Sequence, residues 1–291
     1  MSDKLEHKGL SPSSLQLFMG CNRRYFYKKV AKIPNDPDAP EDQESFSVGK
    51  AFHRVLELHN HSLTGVTYER VREICQEFVF EDLERVLPMI FAMLKTYDDM
   101  HKKSGVEVVA CELALETDTF YGITDVILKD KDGYWYIGDM KTAASLRPDL
   151  VPGLPRHTQL NLYVAHKHLI AEKLGLDVGK FAGCRLRLTT KAKIKQGKTE
   201  TLAQYVNRLC GVIKTYDFIV PKELLDPEEI GFMHARAWDY IEKHRHEINP
   251  KHFPQNPGNC TSYFKPCEFW SQCHKRNFTE ELKLNVIVSG E

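Results

Sequence analysis

The sequence has no apolar run long enough to span a bilayer, and its polar start, Met1-Ser2-Asp3-Lys4, lacks the apolar core of a signal peptide. A cytoplasmic protein with no membrane partner is therefore expected. It also has no net charge, because 40 Lys and Arg are balanced by 40 Asp and Glu over 291 residues. The field of the whole molecule thus gives no signature for nucleic acid, and any such role has to come from local clusters. Internal repeats and low-complexity tracts are absent as well. What is present is a 42% hydrophobic composition, enough for a substantial core. The reading is a single globular domain over 1–291, with a helical N-terminal part (11–103), a core (104–220) and a helical, cysteine-rich C-terminal part (221–291).

Chemistry is concentrated in Gly122-Ile123-Thr124-Asp125 and Gly138-Asp139-Met140-Lys141. Phe120 to Lys129 and Tyr134 to Thr142 read as two strands of a hairpin turning at Asp130-Lys131-Asp132-Gly133. Alternation along a strand puts Asp139 and Lys141 on one face, and a suitable register brings Asp125 to them. Two carboxylates and a cation around one point suit a metal-dependent phosphodiester hydrolase. Mg2+ or Mn2+ held by Asp125, Asp139 and the Met140 carbonyl would lower the pKa of a bound water, which Lys141 would hold, deprotonate or help as the oxyanion forms.

Elsewhere, Ser11-Pro12 marks a helix start, and an acidic loop runs from Pro34 to Glu44. A helical pattern carries His53 beside the small residues Gly49 and Ala51, which would let the helix approach the sheet. A first strand begins at Val106 and includes Glu112, a weaker carboxylate candidate. The stretch His157 to Leu174 has helical period and places Gln159 and Tyr163 on one face. A strand over Phe181 to Thr190, a helix over Glu200 to Tyr216 and another over Pro227 to His246 complete an α/β sandwich with a small mixed sheet.

Taken in order, His53, Asp125, Asp139-Met140-Lys141 and Gln159 with Tyr163 resemble the motif series of the RecB-like branch of the PD-(D/E)xK nucleases, from about Ser11 to Cys273. This branch includes CRISPR-adaptation and phage exonucleases. The resemblance implies a restriction-endonuclease-like core, a mixed sheet flanked by helices, and a metal-contacting role for His53. It also implies that Gln159 and Tyr163 position the strand and the catalytic groups. Asp139 stands where the wider superfamily often has glutamate.

Of eight cysteines, Cys75, Cys111, Cys184 and Cys210 lie in amphipathic or strand patterns and read as small buried hydrophobes. Cys260, Cys267 and Cys273 fall within fourteen residues of a proline- and aromatic-rich tail, where metal binding is the natural reading. The resemblance supplies Cys21 as the fourth ligand, since iron–sulfur members pair one early cysteine with three late ones. Those members usually separate the first two late cysteines by two residues, whereas here there are six. A [4Fe-4S] cluster is expected, with Zn2+ or an empty thiol cluster as the alternative.

Two basic clusters are candidate phosphate contacts: Arg23, Arg24, Lys28, Lys29 and Lys32 interleaved with Tyr25, Phe26 and Tyr27, and a second one of Lys191, Lys193, Lys195 and Lys198 preceded by Arg185 and Arg187, of which Arg185, Arg187, Lys191 and Lys193 are the expected DNA contacts. Arg185 and Arg187 share a strand face. The expected activity is a metal-dependent DNA exonuclease acting on single strands or duplex ends, as a homo-oligomer or with recombination or repair partners. The competing readings are an inactive DNA-end-binding module of the same fold and a zinc-stabilised regulatory protein.

Overall fold

A computed structural model describes residues 9–35, 43–61, 65–244, 249–262 and 265–274. Most of the acidic loop and the last two residues of the expected Pro227 to His246 helix lie outside them. The chain divides into two compact units, one of residues 1–12 and 42–235, the other of 13–41 and 236–291. A single domain was expected. The second unit has an aromatic core of its own, and its two chain segments come from opposite ends of the sequence.

The first unit is built on a five-stranded mixed sheet in the order β1-β2-β3-β4-β5. β1 (Val106–Glu116), β2 (Tyr121–Asp130) and β3 (Trp135–Ala143) form an antiparallel meander. The β2–β3 turn follows from its residues. Asp130 accepts the amides of Asp132 and Tyr134 at 3.0 and 2.9 Å, and Gly133 takes φ +84°, which an L side chain rarely adopts. Gly138 allows the two strands to close, because a Cβ there would lie 2.4 Å from Val126 Cγ1.

β4 (Phe181–Thr190) joins β3 in parallel, so the chain needs a crossover, supplied by the helices Thr158–Ala165 and Lys167–Leu174. These two replace the single helix expected over His157 to Leu174, with His166 between them. β5 (Thr215–Pro221) pairs antiparallel with β4. The sequence reading missed it by running the preceding helix on to Tyr216. That helix spans Leu202–Val212, and the β-prone run Thr215-Tyr216-Asp217-Phe218-Ile219-Val220 goes to the sheet edge instead.

The core lies between the sheet and the helices Gln43–His61, Leu83–Ser104 and Leu202–Val212, with Phe52, Val55, Leu87, Ile90, Met93, Val126, Leu128 and Leu209 buried together. Among the described residues no helix is long and apolar enough to cross a membrane.

In the second unit the helix Pro12–Gly20 leads into the short helix Asn22–Tyr25 and a π-helical turn, Phe26–Val30. The Phe26 ring lies tilted against Phe253 at 5.0 Å between centroids, and Tyr27 against Phe269 at 5.6 Å. Arg23 Nε donates to Phe253 O at 2.6 Å, and Arg24 pairs with Glu268 at 2.8 Å. Two arginines of the first basic cluster therefore hold this unit together.

Candidate active site

The β2–β3 ladder runs from Lys129 opposite Trp135 to Val126 opposite Gly138, which leaves Asp125 and Asp139 as the next residue of each strand. Asp125 Oδ2 accepts the Met140 amide at 2.7 Å, so Met140 meets Asp125 through its N–H while its side chain is buried in the core. Asp139 is 1% exposed. Its Oδ1 accepts from Lys141 Nζ at 2.8 Å, and its buried Oδ2 has no hydrogen-bond partner among the described residues. Lys141 also donates to Gln159 Oε1 at 3.3 Å, and Tyr163 Oη donates to Ile123 O at 2.5 Å. Gly122 permits this last contact, since a Cβ there would come within 2.7 Å of the Tyr163 ring.

His53 reaches the same point from the helix Gln43–His61, with Nδ1 3.8 Å from Asp125 Oδ2. Gly49, one turn earlier, brings the helix against β3: a Cβ there would sit 3.3 Å from Thr142 Oγ1. Among the described residues, ligand atoms of His53, Glu112 and Asp125 lie within 4.8 Å of one another. Glu112 was only a weaker candidate from sequence. Its backbone, at φ +48° inside a strand, gives it a conformation uncommon for a residue with a side chain, and nothing in the sequence signals that.

Electrostatics follow from this crowding. Burial raises the Asp125 pKa, and the nearby Asp139 raises it further. Desolvation, then Asp125 and Glu57, push the Glu112 carboxyl up to about 7, although part of its side chain stays exposed. Burial would lower the Lys141 ammonium, but Asp139 and Asp125 outweigh it and the pKa rises. Facing carboxylates, one buried oxygen without a partner and a nearby imidazole form a donor set suited to a hard divalent cation. A cavity of about 810 Å³ opens over them, lined also by Lys50, Phe78, Thr142 and Lys191.

The profile of the PD-(D/E)XK nuclease superfamily matches residues 9–274. The chain belongs to that superfamily. No curated protein matches it in a sequence search. PD-(D/E)XK members are typically nucleases that act on DNA with Mg2+ or Mn2+, and this PD-(D/E)XK chain carries an acidic cluster that can take such an ion. The mixed sheet flanked by helices is the PD-(D/E)XK fold expected from sequence.

The second basic cluster divides. Arg185 and Arg187 do share a face, but they are 5% and 1% exposed. Arg185 grips Asp217 at 3.2 and 2.7 Å. Arg187 donates to Tyr97 Oη at 2.9 Å and Ser104 Oγ at 3.2 Å, lies 3.0 Å from His101 Nδ1 and stands 3.5 Å from Asp217. Burial, with Arg187 beside it, drops the His101 pKa to about 4, in keeping with a neutral ring that accepts. The phosphate-contact reading of both arginines is therefore corrected: they tie the helix Leu83–Ser104 to β4 and β5. Lys191 instead lines the cavity, placed there by its backbone N–H, which donates to Ala143 O at 2.8 Å, and Lys193 is exposed. Arg187→Met should cost about 3 kcal/mol in urea unfolding, because it leaves buried polar partners unsatisfied. Wild-type stability in that variant would refute the structural role.

All eight cysteines are free. Cys75 and Cys184 are buried in the first unit, and Cys111 and Cys210 are partly covered there. In the second unit, Asn256 and Asn259 donate their side-chain amides to Gly20 O at 2.9 and 2.5 Å, which sets the segment before Cys260 against Cys21. The Cys267 amide donates to Cys260 O at 2.8 Å, and Gln255 donates to Cys273 O at 3.3 Å. Cys21 and Cys260 are close enough to act on the Cys273 thiol electrostatically. Burial pushes the Cys267 thiol up to about 11. Thus the four cysteines singled out from sequence share one neighbourhood, although no three of their sulfurs fall within 4.8 Å of one another among the described residues.

Proposed function

We propose that this protein is a metal-dependent DNA exonuclease of the RecB-like branch, with His53, Asp125 and Asp139 as metal ligands, joined by the Met140 carbonyl, and Lys141 as the catalytic cation. The observation that carries this reading is the convergence of Asp125, Asp139 and Lys141 beneath a lysine-lined cavity. A bound Mg2+ or Mn2+ would neutralise the scissile phosphate and acidify a water. Lys141, tethered between Asp139 and Gln159, would orient the attacking water and donate to the non-bridging oxygens of the pentacoordinate transition state. Tyr163 fixes β2 next to Asp125 through Ile123 O and so positions the ligand. Glu112 is close enough to Asp125 to take a share of the ligation.

Cys21, Cys260, Cys267 and Cys273 hold a [4Fe-4S] cluster in this reading. Four thiolates gathered in one neighbourhood suit such a cluster, with Zn2+ as the alternative.

The deciding assay compares end-labelled linear DNA with closed circular DNA in Mg2+ or Mn2+. Loss of linear DNA from its ends with the circle intact is expected; a cut circle would make the protein an endonuclease. Phosphate contacts are assigned to Lys191 and Lys193. Replacing both should weaken binding and flatten its salt dependence by roughly one unit of slope for each phosphate no longer neutralised, whereas Arg187→Met should leave the slope alone. An unchanged slope in the double lysine variant would return these residues to ordinary surface.

A further inference from the structure

Phosphodiester hydrolysis explains the carboxylates, the histidine and the lysines of the cavity. It gives no work to an aromatic ring, yet Phe78 lines the same cavity, as does Ile123, which is 36% exposed. Phe78 lies just after the helix Tyr68–Cys75, and its amide donates to Cys75 O at 3.1 Å. Its side chain is half-buried and packs against the core cluster while contributing to the cavity. The next residue, Val79, is 79% exposed and extends the apolar surface of this turn. A ring backed by the core and open to a cleft is already ordered, so little freedom is lost when something flat settles on it. In a cleft that also carries Lys50 and Lys191 for phosphates, the flat apolar group that accompanies a phosphate is a nucleobase.

We infer that Phe78 is a base-stacking platform of the active site, receiving the nucleobase beside the bond to be cut, so that the cleft takes nucleic acid in which that base is unpaired. A base inside a duplex has both faces covered by its neighbours, and only a single strand or a frayed end can offer one to the ring. The inference rests on the nuclease reading above and adds to it the group that selects the substrate.

The test uses single-stranded oligonucleotides carrying 2-aminopurine, whose fluorescence is quenched by stacking, bound to the full-length protein with Ca2+ in place of Mg2+. The wild type should quench the probe. Phe78→Leu keeps an apolar side chain and loses the ring; it should bind roughly tenfold more weakly and lose the quench, with KM raised and kcat at saturation held. Phe78→Trp should restore both. A blunt duplex of the same sequence should give no quench at this site. Wild-type affinity and quench in Phe78→Leu would overturn the inference, as would equal quenching of the blunt duplex. A wild type that binds and quenches but never cuts would instead defeat the nuclease reading while leaving Phe78 as a stacking residue, and one that binds no single strand would end both.

Discussion

Lys141→Ala and Asp139→Ala proteins should lose about a hundredfold or more of their metal-dependent DNA hydrolysis. Lys141 Nζ sits 2.8 Å from Asp139 Oδ1 and 3.3 Å from Gln159 Oε1, so it is held at one point with donor capacity left for a water or a phosphate oxygen. Removing one preorganised donor of this kind typically costs that much in rate, because water cannot replace it without reorganising. Asp139 is nearly inaccessible, and the oxygen that has no partner is the one available to an ion. On the proposed reading its loss removes a metal ligand instead of a surface charge. Lys141→Ala also leaves buried carboxylates without their cation, so stability must be followed in parallel. Lys141→Arg, which keeps the charge and moves its position, should fold like the parent and still fail in single-turnover cleavage of end-labelled DNA. Parental rates in a folded Lys141→Ala protein would remove the lysine from the mechanism.

Anaerobically purified protein should be brown, with broad absorption near roughly 400 nm and about four irons per chain. Cys21→Ala, Cys260→Ala, Cys267→Ala and Cys273→Ala should each lose the colour, and Cys75→Ala should keep it. The contrast is chemical. Cys75 is fully buried among apolar side chains, and its thiol is pushed up to about 12 by desolvation, as for a packing residue. The four tail and N-terminal cysteines lie where hydrogen bonds from the Asn259 side chain to Gly20 O and from the Arg23 amide to Pro254 O join two chain segments distant in sequence. A centre bound there only in the folded state stabilises that state, so cluster loss should also lower the unfolding temperature. Colourless protein with stoichiometric zinc would remove iron from the assignment but keep the four-cysteine site. Iron retained by Cys21→Ala would remove the N-terminal ligand.

The sequence carried the catalytic hairpin well because its turn is local chemistry. Asp130 and Gly133 set the reversal, and the reversal sets the register that brings Asp125 to Asp139. Gln159 and Tyr163 were readable for a similar reason, since one helical turn joins them. The arginines show where such reading stops. Alternation correctly put Arg185 and Arg187 on one face, but only the packed fold reveals that the helix bearing Tyr97, His101 and Ser104 covers it. Glu112 was undervalued because its left-handed backbone is a tertiary effect, and Phe78 escaped notice because one phenylalanine near a helix end looks like core. β5 was lost to a helix boundary, the feature that local propensity fixes least.

The strand order also bears on how the molecule assembles. β1, β2 and β3 follow one another through short turns, so their pairing closes small loops at little entropic cost. β4 reaches β3 in parallel only after the two crossover helices are in place, a slower kind of contact. Glu112, Asp125 and Asp139 all lie on the local meander, whereas Gln159, Tyr163 and Lys191 lie on or beyond the crossover. As the polypeptide emerges from the ribosome, the acidic floor of the cleft can exist before the residues that tether Lys141, brace β2 and line its lysine-bearing wall.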